Sequence, residues 1–156
     1  WPNDIVCEGR KLVGMLQDAQ ASTGMDGVEW VVAGIGINVH QRIDDFPEDV
    51  RGKAGSLDML TGEKCVRAQV VRAVMAEIER AAGLLISGHD DDMMSEYAEL
   101  SATLGKRVCV IASDKSYEAD AIRLQSDGAL VVRPDGGDEQ PVYAGDVSVR
   151  GIMGYV

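Results

Sequence analysis

Along the first 39 residues the apolar positions fall in short β-branched runs, Ile5-Val6 and Val31-Val32, divided by the turn signals Glu8-Gly9 and Gly24-Met25-Asp26-Gly27. Such runs between glycine-bearing turns predict three antiparallel strands in succession. Gln41 to Gly55 has little periodicity and holds Asp44, Asp45, Pro47, Glu48, Gly52 and Gly55. A loop of that length in a compact domain is often functional. From Lys64 to Leu85 the period changes: Val66, Val70, Val74, Ile78, Ala81 and Leu85 recur at steps of three and four, which predicts an amphipathic helix ending near Gly88. A second helix is expected from Asp90 to about Thr103. Its first turn is acidic, which suits the positive end of the helix dipole, and Met94, Tyr97 and Leu100 or Leu104 form its inward face.

After Gly105 the pattern shortens. Arg107–Ala112, Glu118–Arg123, Ala129–Arg133 and Val142–Ala144 read as brief strands separated by Ser-Asp-Lys-Ser, Ser-Asp-Gly and Asp-Gly-Gly. Short strands at regular spacing with such turns describe a small β-barrel. The chain therefore divides, on pattern alone, into an α+β part over residues 1–104 and a barrel over residues 105–156. No internal repeat or low-complexity segment interrupts either part.

Composition narrows the partners. The 156 residues carry 15 basic and 26 acidic side chains, a formal net charge of −11, which argues against a phosphate-backbone partner held by clustered Lys and Arg. The longest apolar runs, near Trp30–Val39 and Leu84–Ile86, are far shorter than the roughly 20 residues that cross a bilayer. Cys7, Cys65 and Cys109 are far apart and have no His at ligand spacing. They suggest neither a disulfide framework nor a zinc site, and read as small buried hydrophobes in a reducing cytoplasm. His40 and His89 have no partner at a telling spacing, and the run Asp90-Asp91-Asp92 reads as a helix start rather than a metal site.

Two stretches carry candidate chemistry. Gly34-Ile-Gly-Ile-Asn38 ends an apolar strand with two glycines two apart, which lets another group approach the backbone closely. It is not a dinucleotide fingerprint, because the third glycine would fall at Val39 and no helix opens there. Asn38 follows directly, and its carboxamide can both donate and accept. In Arg10-Lys-Leu-Val-Gly-Met15, strand alternation would put Lys11, Val13 and Met15 on one face and Leu12, Gly14 and Leu16 on the other. A lysine on an apolar face has two readings: an edge residue whose stem covers apolar surface while its ammonium stays wet, or a charge that neutralises a carboxylate or phosphate beside an apolar pocket. Asn3-Asp4, taken alone, is a turn signal.

Taken together, Trp1-Pro-Asn-Asp4, Arg10-Lys-Leu-Val-Gly-Met15, Gly34-Ile-Gly-Ile-Asn38 and Ala144-Gly-Asp-Val-Ser-Val-Arg150 resemble the biotin–protein ligases in order, spacing and wording. The family's usual motif is K-W-P-N-D, and its amino-terminal half supplies a Gly- and Arg-rich loop. No such segment occurs here, so the resemblance is to the later part of the catalytic domain and the carboxy-terminal barrel, as in a fragment of a longer gene product. It implies part of a class II synthetase-like mixed or antiparallel sheet with helices, followed by an SH3-like barrel. The activity implied is a two-step ligation. Biotin is activated with ATP and Mg²⁺ to biotinyl-5′-AMP, then passed to a lysine of a biotin carrier protein or carboxylase carrier domain.

The same resemblance implies roles. Lys11 lies between the biotin carboxylate and the α-phosphate, and Asp4 beside the incoming carrier lysine. Gly14, Met15, Gly34, Gly36 and Ile37 join Lys11 in the biotin pocket. Asn3, Lys11, Asn38, Asp146 and Arg150 face the nucleotide, Asn38 also touching Mg²⁺. Further implied partners are a second copy in a homodimer, with no nucleic acid for this chain and no membrane. Two other readings share parts of the pattern: a lipoate-type ligase, and a non-catalytic fragment that binds biotin or the carrier.

Overall fold

The computed structural model describes residues 1–21, 27–112, 115–144 and 147–151, the last group by backbone alone. By compactness the chain divides into Pro2–Cys65 and, separately, Val66–Val156 together with Trp1.

In the first unit the strands β1 (Asp4–Cys7), β2 (Arg10–Ala21) and β3 (Val28–Ile37) form an antiparallel sheet in the order β1-β2-β3, as the β-branched runs predict. Glu8 and Gly9 turn the chain between β1 and β2, both with positive φ (49° and 71°). That conformation matches the twist of a tight hairpin, and Glu8 is the one described non-glycine residue to adopt it.

The β1–β2 register is not uniform. Ile5 faces Val13 but Val6 faces Lys11, so Leu12 is an extra residue on β2. This bulge overturns the simple alternation expected for residues 11–16. Both Leu12 and Val13 turn inward, at 6% and 7% exposure, because an inserted residue breaks the period of two. With Val39, Ala54 and the fully buried Ser56 they make the small core of this unit. The far ends of β2 and β3 lie outside it: Leu16, Val28, Trp30, Val31 and Val32 are all exposed.

Gln41–Gly55 is a loop, as expected, with one 3-10 turn at Ile43–Asp45. It ends in a helix that the periodicity does not announce, α1 (Leu57–Thr61), capped by the Ser56 side chain, which accepts from the Met59 N–H, and closed by Gly62 with φ 70°. That left-handed closure delays the next helix, so α2 runs Arg67–Ile86 rather than from Lys64.

In the second unit α2 is followed by α3 (Asp90–Leu100). The latter stops short of the expected Thr103 because Ser101 turns extended and its Oγ accepts from the Thr103 and Leu104 N–H groups. The helices are joined across their surfaces by Arg80, which bonds Glu96 at 2.7 Å and Glu77 at 2.8 Å. Neither helix has a buried residue, and Leu100, expected to face inward, is 85% exposed.

The strands β4 (Arg107–Ala112), β5 (Ser116–Leu124), β6 (Leu130–Pro134), β7 (Gln140–Val142) and β8 (Val147–Gly151) form one antiparallel sheet ordered β7-β6-β5-β4-β8. The order is the SH3-like one; among the described residues no ladder joins β7 to β8, so the sheet is open there. Val108, Val110, Ala119, Ala121, Leu130, Val132 and Val142 fill its core, and Trp1, Leu104, Tyr117 and Leu124 pack on it.

All three cysteines are free thiols, as expected, but they are not buried: Cys7 is exposed and Cys65 and Cys109 are half-buried. No helix among the described residues is long and apolar enough to cross a membrane.

Candidate functional site

The three-stranded sheet gathers most of the motif residues into one place. Asp4 pairs with Gly14, and Gly14 with Gly36, so the three form a row across β1, β2 and β3. Met15 lies one position along, opposite Ile35, Gly34 two positions along, opposite Leu16, and Ile37 is opposite Val13. Asn3 completes the edge: its main-chain carbonyl accepts from the Met15 N–H at 2.8 Å, and its carboxamide donates to the Met15 carbonyl at 3.0 Å. The Asn3-Asp4 pair thus belongs to the start of a strand, not to a turn.

The bulge at Leu12 decides where Lys11 goes. A Cβ placed on Gly14 would meet Lys11 Cε at 3.2 Å and Nζ at 3.3 Å. Lys11 therefore lies over the bare backbone of Gly14, on a different face from the one alternation gives it. Its ammonium stands 2.6 Å from Asp4 Oδ1, with both side chains partly exposed (34% and 23%). In an uncrowded, partly wet setting such a pair is held loosely, since water competes for both charges.

At Gly34 and Gly36 the situation differs. An added Cβ would meet nothing nearer than a backbone oxygen at 3.7 Å and 3.6 Å, which is ordinary contact. The chain's own packing does not require glycine there, and no side chain stands within 4 Å of a Cβ at either of these two positions.

Asn38 leaves the end of β3 with both main-chain groups engaged: its N–H donates to the Leu12 carbonyl at 2.9 Å, and its carbonyl accepts from the Leu57 N–H at 3.0 Å. Its half-buried carboxamide makes no hydrogen bond to the described residues.

One segment braces both charged and amide members of the site. The Lys11 N–H donates to the Lys53 carbonyl at 2.7 Å and the Lys11 carbonyl accepts from the Gly55 N–H at 3.0 Å, giving a short parallel bridge with Ala54. Gly55 has little room for a side chain, since a Cβ would stand 3.1 Å from Arg10 Cβ and 3.3 Å from Leu12 Cδ2. Two residues further on, Leu57 holds Asn38.

Sequence reasoning missed His40 and Asp58. His40 Nδ1 is 2.9 Å from Asp58 Oδ2, and Asp58 Oδ1 accepts from the Cys65 N–H at 2.8 Å. The Cys65 N–H, followed by His40, holds the Asp58 carboxyl below its usual range against the opposing effect of desolvation. The available signal was Ser56-Leu-Asp-Met59, a helix start with its capping serine; nothing in the sequence links it to His40.

Asp146 lies outside the described residues. Arg150 is described by its backbone alone, in β8 opposite Cys109. Among the described residues no three His, Cys, Asp or Glu side chains form a metal cluster.

Residues 103–150 match the family described as "Biotin protein ligase C terminal domain". Among curated proteins, the chain is 29% identical over 149 residues to the bifunctional ligase/repressor BirA of Bacillus spizizenii, covering 96% of this chain and 45% of that protein. It is also 29% identical over 147 residues to the biotin–[acetyl-CoA-carboxylase] ligase of Mycobacterium tuberculosis, covering 94% of this chain and 51% of that protein. The chain thus spans about half the length of these relatives. Among solved structures, biotin protein ligase from Aquifex aeolicus shares the fold, with TM-score 0.79 and 23% identity over 97% of this chain and 63% of that one. The same enzyme in complex with biotin and ATP gives TM-score 0.78 at 24% identity, covering 60% of its chain.

Proposed function

We propose that this chain is the carboxy-terminal part of a biotin–protein ligase, as its likeness to that family's carboxy-terminal domain and to the curated ligases supports, and that it handles biotin and nucleotide in an enzyme that activates biotin with ATP and passes it to a carrier lysine. The observation that supports this most directly is the Lys11 ammonium lying over Gly14 and beside Asp4, in a row across the sheet that continues to Gly36.

In the first half-reaction a biotin carboxylate oxygen attacks the α-phosphorus of ATP, the bond to the pyrophosphate oxygen breaks, and biotinyl-5′-AMP forms. Both reactants are anions. Lys11 offers the positioned charge that offsets their repulsion, exchanging Asp4 for the ligand. Gly14, Gly34 and Gly36 leave room for the biotin rings, with Met15 and Ile37 as apolar neighbours. Asn3 and Asn38 face the nucleotide; Asp146 and Arg150 are assigned to nucleotide binding on the family resemblance of Ala144–Arg150 alone. Asn38 would be the residue to hold magnesium, its carboxamide oxygen being a hard donor of the kind that cation takes, and the metal would supply charge neutralisation beside the phosphates.

In the second half-reaction the carrier lysine nitrogen attacks the acyl carbonyl, an amide bond forms, and AMP leaves with its oxygen pair. Asp4, released from Lys11, receives the proton of the amine. The test uses the full gene product carrying this chain, with biotin, MgATP and a biotin carrier domain. Pyrophosphate release and a biotinylated carrier are expected; absence of both overturns the reading. Lipoate activation in place of biotin would move it to the lipoate-type ligases.

A further inference from the structure

Four successive residues after β3 are tied to the start of α1. Leu57 N–H donates to the Asn38 carbonyl (3.0 Å), Asp58 N–H to the Val39 carbonyl (3.0 Å), His40 approaches the Asp58 carboxylate (2.9 Å), and Ser56 Oγ donates to the Gln41 carbonyl (2.7 Å). The His40 link alone among these involves a charged partner. An ionised carboxylate only accepts, so His40 Nδ1 carries the proton and donates. Asp58 cannot swing away, because its other oxygen is held by the Cys65 N–H at 2.8 Å.

We propose that His40 and Asp58 are positioning residues for the nucleotide: their pair locks the Asn38 backbone to α1 and so fixes the direction in which the Asn38 carboxamide is presented. The proposal rests on the reading of Asn38 as a nucleotide contact. Neither residue needs to touch the ligand. Asn38 has no side-chain partner among the described residues, so its aim depends on its backbone. That backbone is held on one side by Leu12 of the sheet and on the other by α1. With the His40 anchor cut, the α1 side relies on neutral backbone bonds at the edge of a loop. The biotin side of the site, the Gly14–Gly36 row, is held by strand pairing and does not share the anchor.

The experiment compares His40→Ala, His40→Asn and His40→Gln in the full gene product. MgATP alone and biotin alone are titrated calorimetrically, and amide hydrogen exchange is followed at Leu57 and Asp58. In His40→Ala, MgATP affinity should fall about tenfold, a scale at which small displacements of a positioning group act, while biotin affinity stays within about twofold and exchange at both amides rises. His40→Asn should restore both, since its carboxamide nitrogen can stand where Nδ1 stands; His40→Gln, one carbon longer, should not. Unchanged exchange, unchanged MgATP affinity, or equal losses for both ligands would overturn the positioning role. MgATP binding that is present, and weakened by His40→Ala, in a protein that does not activate biotin would sustain this inference while the ligase reading fails. A wild-type protein that does not bind MgATP would end both.

Discussion

Lys11 and Gly14 stand three positions apart on one strand, yet they touch, because the bulge at Leu12 resets the alternation between them. Two predictions belong to these side chains. Lys11→Met in the full gene product should keep the fold, as judged by an unchanged thermal transition, and should slow biotinyl-5′-AMP formation by roughly 10²-fold or more, the scale for loss of a positioned charge-stabilising group. Equal loss of folding and activity would return Lys11 to the role of a stem covering apolar surface. Gly14→Ala makes a subtler change. The new methyl crowds the flexible end of Lys11 and is in ordinary contact with Asp4 Oδ1 at 3.9 Å, so stability should be nearly unaltered while the ammonium is pushed off the row and adenylation slows. Gly36→Ala meets no close neighbour of its own chain. Its expected effect is on biotin affinity alone, read by titration. The residue types at these positions were legible in the sequence, as Gly34-Ile-Gly-Ile-Asn38 and the lone lysine among apolar residues. The face Lys11 occupies was not, because a bulge is a relation between two strands and leaves no mark on one.

Among the elements, α1 is short, and Ser56 does two jobs for it. Its Oγ accepts from the Met59 N–H, and donates to the Gln41 carbonyl while fully buried. Ser56→Ala removes the cap and leaves that carbonyl unpaired, and should cost about 1–2 kcal/mol in chemical denaturation. Asp58 supplies a pH signature for the same element. Its carboxyl is held below the ordinary value of 3.8, chiefly by the Cys65 N–H. A depressed carboxyl contributes stability that is whole above its unfolded value and drains away as pH falls through the folded one. The stability gap between wild type and Asp58→Ala should therefore be constant near neutrality and shrink as pH drops below 3.8; a gap that persists unchanged in acid would exclude ionisation as its source. The long helices and the strands were readable because each repeats a local period for several turns or pairs. A helix of five residues repeats nothing, and the His40–Asp58 pair spans 18 positions, so both escaped notice. The ends of α2 and α3 moved by a few residues because Gly62 and Ser101 impose local stops that periodicity does not weigh.

At the scale of the molecule, burial is uneven. The carboxy-terminal sheet is closely filled, and Leu130, with no exposed surface, is a place where truncation leaves a hole. Leu130→Ala should cost about 2–5 kcal/mol, measured by denaturation. By contrast β3 is an edge strand whose Val31 and Val32 are more than half exposed, at 56% and 60%. Long apolar edges invite pairing with other chains. Val31→Lys should reduce self-association of the chain in light scattering while changing its unfolding midpoint little; undiminished association would place the sticky surface elsewhere.

The sequence has two tryptophans, and the fold assigns them to different compact units. Trp1 packs on the core that includes Val108 and Leu130, and Trp30 sits on β3, 43% exposed. Each unit thus carries its own built-in fluorophore. In Trp30→Phe the remaining emission follows the loss of the carboxy-terminal core, and in Trp1→Phe it follows the sheet that holds Lys11. Comparing the two melts shows whether ligand binding at the glycine row protects one unit or both, with no dye or tag attached.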